Sequence, residues 1–85
     1  MVIAYHKNFV KRSKSLTSKN KGKLTQRLKL FDQDEFNPIL NNHALHGKYL
    51  GYRSINVTGD LRAIYKRSDN IAIFVAIDSH SNLYG

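Results

Sequence analysis

A continuous apolar run, Ile-Ala-Ile-Phe-Val-Ala-Ile at positions 71–77, constrains the fold of this chain more than any other feature. In a sheet, an uninterrupted run of this kind is typical of a strand that is covered on both faces. From Gly51 onward the hydrophobic period is 2, whereas upstream it is 3.6. The second half of the chain is therefore predicted to form a sheet, with residues 71–77 as the spine of the core.

Three strands are predicted in this half, over residues 52–57, 61–66 and 71–77. Their connections, Thr-Gly-Asp at 58–60 and Ser-Asp-Asn at 68–70, are short and rich in turn-forming residues. Such residues accept the backbone conformations that hairpin connections need. The three strands are therefore expected to form an antiparallel meander.

The first half of the chain predicts one strand and two helices. Residues 2–5 are β-branched and aromatic, which favours a short strand. A weak helical stripe then runs to about residue 18 and is broken by Lys-Asn-Lys-Gly at 19–22. A second helix over 23–34 is indicated by Leu24, Leu28 and Phe31, which share one helical face. The helices are expected to form an antiparallel hairpin, so the predicted fold is α+β in the order β-α-α-β-β-β.

The length of the chain, 85 residues, corresponds to a single domain over 1–85, because so short a chain cannot support two cores. It has no cysteine, which excludes a disulfide framework and a thiolate zinc site. No apolar stretch approaches the roughly 20 residues of a membrane span, and the N-terminal apolar run is too short for a signal peptide. We therefore expect a cytoplasmic protein without a membrane partner.

The net charge of +8 makes polyanions the natural partners of this chain. Residues 7–29 carry nine basic side chains and no acidic one. Considered alone, this segment is equally compatible with a solvated helical hairpin that keeps the protein soluble.

Two histidines, His43 and His46, lie in the predicted loop over residues 39–48. Their His-x-x-His spacing is compatible with a metal site, but two ligands without further partners do not make one, and no metal or other cofactor is expected. Proton transfer is the better functional interpretation, because an imidazole populates both protonation states near neutrality. Ordinary loop histidines that only make hydrogen bonds are the alternative.

A second concentration of polar groups follows the apolar run. His80 and Tyr84 are four residues apart, so one helical turn would place them on the same side, although a frayed terminus is the alternative. On the strand predicted over 61–66, Arg62 shares a face with Ile64 and needs either a carboxylate or a phosphate. Arg53 on the preceding strand raises the same question.

Two segments together resemble a known family. Positions 43–66 read His-Ala-Leu-His-Gly-Lys-Tyr-Leu-Gly-Tyr-Arg-Ser-Ile-Asn-Val-Thr-Gly-Asp-Leu-Arg-Ala-Ile-Tyr-Lys, and positions 79–84 read Ser-His-Ser-Asn-Leu-Tyr. This combination is similar to the YafQ branch of the RelE/ParE toxin superfamily, whose members belong to type II toxin–antitoxin systems. The resemblance implies a RelE/ParE-like fold, with a helical hairpin packed on a small, mainly antiparallel sheet.

The resemblance also implies an activity and partners. A toxin of this branch is an mRNA interferase, an endoribonuclease that cleaves messenger RNA in the ribosomal A site. Attack of a ribose 2′-hydroxyl on the adjacent phosphate leaves a 2′,3′-cyclic phosphate, and no metal is needed. The toxin would be a monomer when free and would form a hetero-oligomer with a cognate acidic antitoxin.

The site residues implied by the resemblance lie in the second half of the chain. The catalytic residues would be His43, Asp60, Arg62, His80 and Tyr84, and the RNA-binding residues would be Lys48, Arg53 and Lys66. Two positions depart from the family pattern: Asn56 stands where YafQ-like toxins have a histidine, and Ala76 where they have an arginine.

Two other functions remain open from the sequence. One is a non-enzymatic inhibitor of DNA gyrase, as in the ParE branch, which shares the fold. The other is a basic nucleic-acid-binding module that uses residues 7–29 to hold the phosphate backbone.

Overall fold

A computed structural model describes residues 1–84 and gives three helices and five strands. The helices are α1 (Lys7–Lys14), α2 (Ser18–Gln33) and α3 (His80–Tyr84), and single 3₁₀ turns lie at Pro38–Leu40 and Gly47–Tyr49. The strands are β1 (Val2–Tyr5), β2 (His43–Ala44), β3 (Arg53–Asn56), β4 (Leu61–Ser68) and β5 (Ile71–Ser79). Over the described residues, no helix is both long and apolar enough to cross a membrane.

The strands form one sheet in the order β1-β5-β4-β3-β2. β3, β4 and β5 are antiparallel neighbours, as the turn residues predicted, while β1 pairs in parallel with β5. The α+β class and the predicted element order are thus confirmed. β2, at the edge of the sheet, was not predicted, because two residues are too few to show a period.

One face of the sheet, here called the first face, packs against α1 and α2. Phe9 from α1 and Leu24 and Phe31 from α2 join the sheet residues in one buried cluster. Phe31 meets the rings of Tyr65 and Phe74 edge-on, at centroid distances of 4.8 and 5.1 Å. Such contacts add to the burial of apolar area, so this aromatic centre fixes the helices on the sheet.

β5 is not covered on both faces along its whole length, so that prediction was wrong in part. Ile71 and Ile73 are 42% and 36% exposed, while Ala72 and Phe74 are buried against the helices. A bulge then interrupts the pairing with β4, because Tyr65 pairs with Phe74 and Ile64 with Ala76, which leaves Val75 unpaired. Beyond the bulge both faces are covered.

The break between the helices lies earlier than predicted. α1 ends at Lys14, and Thr17 caps α2 by accepting a hydrogen bond from the Asn20 N–H at 3.2 Å. Gly22 lies inside α2, in open space. An exposed glycine costs a helix only about 1 kcal/mol, which one cap and one buried face can offset.

The C-terminal segment is an ordered helix, as the spacing of His80 and Tyr84 predicted. The Asp78 carboxylate accepts hydrogen bonds from Arg12, the Asn82 side chain and the Ser79 N–H. These bonds, that of Arg12 first, hold the pKa of Asp78 below its usual value. Asp78 therefore ties the start of α3 to α1.

Candidate active site on the second face of the sheet

The cross-strand register assigns each strand residue to one of two faces. Side chains directly opposite each other on neighbouring strands point to the same side. Those that alternate with the core residues lie on the side opposite to α1 and α2, here called the second face. They are His43, Ser54, Ile64 and Ala76 in one row, and Asn56, Arg62 and Asp78 in the next.

Part of the second face is covered by a smaller hydrophobic cluster. Leu45, Ile64 and Leu83 are buried in it, and Leu83 comes from α3. The C-terminal helix therefore lies over the second face, where the ring of Tyr84 meets that of Tyr49 at 6.2 Å.

His80 is held at the margin of this cluster by two contacts. Its backbone N–H donates to the carbonyl of Asp60 at 2.9 Å. Its imidazole packs against the ring of Tyr84, with centroids 4.8 Å apart and planes at 63°. The imidazole itself is exposed, so it is fixed in place and still open to a ligand.

Asp60 supports His80 through its backbone. Its carboxylate is exposed and makes no hydrogen bond or ion pair with residues 1–84. The acidic side chain thus adds a charge near His80, while the carbonyl sets where α3 begins.

Arg62 forms no ion pair within the described residues; Asp78 lies directly across from it on β5, but the Asp78 carboxylate pairs with Arg12. Its Nη1 donates to the carbonyls of Thr58 at 2.9 Å and Leu61 at 3.3 Å, and the side chain is partly buried. A guanidinium has five N–H donors, so most of them remain available for an anion. Of the two interpretations of Arg62, the structural salt bridge is wrong.

His43 lies on β2 with its ring oriented by the main chain. Nδ1 lies 2.8 Å from the carbonyl of Asn41, a residue in the left-handed conformation at φ 45°. Since a carbonyl only accepts, Nδ1 carries the proton of this bond, and Nε2 of the neutral ring keeps its lone pair. His43 is exposed, so Nε2 faces solvent.

Two lysines stand beside tyrosines of the second face. Lys48 Nζ lies 5.3 Å from the ring centre of Tyr49, and Lys66 Nζ lies 5.7 Å from that of Tyr52. The tyrosine rings are themselves 6.3 Å apart, so an ammonium group stands at each end of this pair of aromatic rings.

The second face brings Asp60, Arg62, His80 and Tyr84 together around the start of β4. His43 shares the face but lies two strands from Arg62, on the order of 10 Å across the sheet. A single nucleotide is about large enough to bridge that gap. Residues 1–84 include no group of three or more His, Asp or Glu side chains placed to bind a metal ion.

The family model described as a bacterial toxin of type II toxin-antitoxin system, YafQ, matches residues 1–85. The chain belongs to the YafQ toxin family. No curated protein sequence matches it.

Solved structures agree with the family. The crystal structure of YafQ from E. coli strain BL21(DE3) is 25% identical, with a TM-score of 0.83 and coverage of 98% of this chain and 97% of that one. YafQ in the E. coli DinJ-YafQ toxin-antitoxin complex is 26% identical, with a TM-score of 0.79 and coverage of 98% and 96%. A YoeB/ParE toxin from Agrobacterium tumefaciens, 15% identical with a TM-score of 0.77 over 94% and 99%, shares the fold.

In this YafQ-family chain Arg53 lies on the first face and not with the other predicted site residues, so its role in RNA binding stays a prediction. It has the same parity as the core residues Ile55 and Val57, donates from Nε to the Asn42 side chain at 2.8 Å, and lies over the ring of Phe36 at 5.3 Å. Arg53, Ile55 and Val57 are spaced two residues apart, and this spacing was the signal that could have predicted Arg53 on the first face.

Ser54 was not among the site residues predicted from the sequence. It lies on the second face between His43 and Ile64, fully buried, and its hydroxyl has no hydrogen-bond partner among residues 1–84. Asn56 Oδ1 and the Tyr84 hydroxyl are likewise buried without a partner in the described part of the chain. Unpaired buried polar groups are costly, and these three all lie on or over the second face.

Proposed function

We propose that this chain is the toxin of a type II toxin–antitoxin system and acts as a metal-independent endoribonuclease on messenger RNA. The observation that supports the proposal is the second face, which carries the Arg62 guanidinium without an ion pair, the exposed imidazole of His43 and, at its margin, the exposed imidazole of His80. Cleavage of RNA by its own 2′-hydroxyl needs a base, an acid and a cation, and these three groups can supply them.

Side chains alone can accept and supply the protons that this reaction transfers. A base takes the 2′-hydroxyl proton, and the 2′-oxygen forms a bond to phosphorus. The bond from phosphorus to the 5′-oxygen breaks, and an acid protonates that oxygen. The products are a 2′,3′-cyclic phosphate and a 5′-hydroxyl.

The geometry favours His43 as the base and His80 as the acid. The bond from His43 Nδ1 to Asn41 leaves Nε2 able to accept a proton. His80, packed edge-on against Tyr84 and bonded through its backbone to Asp60, would carry the proton that the leaving oxygen receives. Arg62 would oppose the charge that develops on the phosphate, with its fork shaped for two oxygens.

The remaining residues would position the RNA. Lys48 and Lys66 flank the tyrosine rings of the second face, where bases can stack and phosphates can be neutralised. Asn56 lies directly across from Arg62 and cannot exchange a proton, so it would bind and not catalyse. Ala76 contributes no charge, which leaves Arg62 as the main cation at the cleaved bond.

An acidic antitoxin is the proposed protein partner. The E. coli relative forms a toxin-antitoxin complex with DinJ, and a surface with a net charge of +8 suits an acidic segment. The free toxin would be monomeric and cytoplasmic, and the ribosomal A site would present the message to it.

The test is to induce the wild type and His80→Ala in cells and to map RNA 5′ ends. Cuts inside translated messages should appear with the wild type and vanish with His80→Ala. His6→Asn is the matched control: it removes an exposed imidazole but keeps a side chain able to cap α1, so its cuts should persist. Intact messages with stalled DNA replication would instead support a ParE-like gyrase inhibitor and overturn the proposal.

A further inference from the structure

A cleft of about 470 Å³ separates α2 from the turn between β3 and β4. On the α2 side it is lined by Lys19, Lys23 and Arg27, which are spaced i, i+4 and i+8 and therefore form one row along the helix. The opposite wall includes Asn56 and the turn residues Thr58 and Gly59. None of the three basic residues belongs to the catalytic set proposed above.

The cleft is cationic and has no internal counter-charge. No Asp or Glu lines it, and within residues 1–84 no carboxylate forms an ion pair with Lys19, Lys23 or Arg27. Arg27 makes one long hydrogen bond, from Nε to the Val57 carbonyl at 3.4 Å. Like charges one helical turn apart repel each other, so this row is stabilised by any anion that enters.

The cleft adjoins Arg62 of the candidate active site through two of its lining residues, Thr58 and Asn56. Thr58 lines the cleft, and its carbonyl accepts the hydrogen bond from Arg62 Nη1 at 2.9 Å. Asn56, across from Arg62 in the sheet, also lines it and has a buried Oδ1 without a partner in the described residues. If one phosphate of an RNA strand is bound at Arg62, the neighbouring nucleotide of that RNA therefore lies at this cleft.

We infer that the cleft is a second RNA subsite, which holds phosphates of nucleotides that flank the cleaved bond. Successive basic residues of the row are about 6 Å apart along the helix, a spacing comparable with that of neighbouring phosphates in an extended strand. The Asn56 side chain in the opposite wall would bond to a sugar or base edge. RNA supplies both the phosphates for the basic row and the sugar or base edge for Asn56. An acidic peptide would supply the negative charge, but its chemistry does not require it to extend to Arg62. The inference rests on the proposed function for the position of the cleaved bond.

The test is a binding titration of the full chain with a short single-stranded RNA that carries 2′-O-methyl groups and therefore cannot be cut. Lys19→Gln/Lys23→Gln removes two charges of the cleft with a good helix-forming residue. Fluorescence anisotropy across a salt series should show a loss of about tenfold in affinity and a salt slope lower by about 1.4, since each single-strand phosphate contact contributes about 0.7.

The matched control is Lys11→Gln/Lys29→Gln, which removes the same charge from exposed helical positions that do not line the cleft. It should change the affinity by less than about twofold. Equal losses in both double variants would show a general charge effect and overturn the subsite. So would an unchanged affinity for RNA in the cleft variant together with a loss of antitoxin binding, which would make the cleft a protein-docking site.

The subsite in the cleft and the nuclease proposal can fail independently of each other. His80→Ala tests cutting of messages, which it should abolish, whereas Lys19→Gln/Lys23→Gln tests binding of the 2′-O-methyl RNA at a cleft that His80 does not line. If His80→Ala still cut messages while the cleft variant lost RNA binding, the catalytic assignment would fail and the subsite would stand.

Discussion

Tyr65 is the residue on which the strand of His43 depends. It is fully buried, and its hydroxyl donates to Glu35 Oε2 at 2.7 Å and accepts from the Asn42 side chain at 2.7 Å. Asn42 directly precedes His43 and is held in turn by Arg53. This chain of hydrogen bonds lies on the first face and anchors β2, so it sets where the candidate base stands on the second.

Replacing Tyr65 with Phe should lower the free energy of unfolding by about 1–3 kcal/mol near neutral pH, because Glu35 and Asn42 each lose a partner. Burial, together with the bond to Glu35, raises the pKa of Tyr65 to about 12. The folded state then keeps the phenol proton after the unfolded state has lost it, above about pH 10. The wild type should therefore lose up to about 2–3 kcal/mol between pH 10 and 12.

Denaturant unfolding of both proteins across this pH range measures the effect. The gap between wild type and Tyr65→Phe should close as the pH rises, because the variant has no phenol at this position. Tyr52→Phe is the control, since no described hydrogen bond involves that hydroxyl, and it should change stability by less than about 0.5 kcal/mol. A gap that stays constant from pH 8 to 12 would contradict the account.

At the scale of elements, α2 shows where local sequence signals compete. Lys-Asn-Lys-Gly at 19–22 has the composition of a helix end, yet these residues form the first turns of α2. Thr17 caps the helix and Leu24 and Phe31 bury its face, and both effects exceed the cost of a single glycine. Thr17, which follows Ser15 and Leu16, is a residue type that caps helices. It was the signal from which the break between α1 and α2 could have been located.

Gly22→Ala should raise the free energy of unfolding by about 1 kcal/mol, because the site is an exposed helix interior with nothing within 4 Å of the added methyl group. Thermal unfolding followed by circular dichroism measures the change. Gly51→Ala is the matched control: it also meets no atom, but its φ of +92° strains any other residue, so stability should fall. A loss of stability in Gly22→Ala would contradict the placement of this residue inside α2.

β5 shows which part of a sheet a sequence can predict. The strand itself and its two neighbours follow from the period of 2 and the turn residues. The bulge at Val75 does not, because an apolar run looks the same whether or not one residue is left unpaired. That bulge changes which alternate residues face the helices, and so it decides that Ala76 and not Ile77 joins the second face.

For the whole molecule, the radius of gyration of 11.8 Å exceeds the Debye length of about 8 Å at physiological salt, so charges on opposite sides are largely screened from each other. Arg62 and the α2 cleft are neighbours through Thr58, so their charges act on the same incoming polyanion. Strand parity predicted the face of Arg62, helical spacing predicted that His80 and Tyr84 share a side, and the family resemblance brought the three together. The support of His43 by Asn41 depends on the turn before β2, which has no repeating pattern to interpret.

The central claim is that the second face of this YafQ-family toxin cuts RNA through the 2′-hydroxyl of the substrate. The most direct measurement is the chemistry of the new RNA ends, made with the purified toxin and ribosomes programmed with a defined message. The account predicts 2′,3′-cyclic phosphate and 5′-hydroxyl ends, and no cleavage when the nucleotide before the cut is 2′-deoxy. Ends that carry a 5′-phosphate, or cleavage of the 2′-deoxy message, would contradict it.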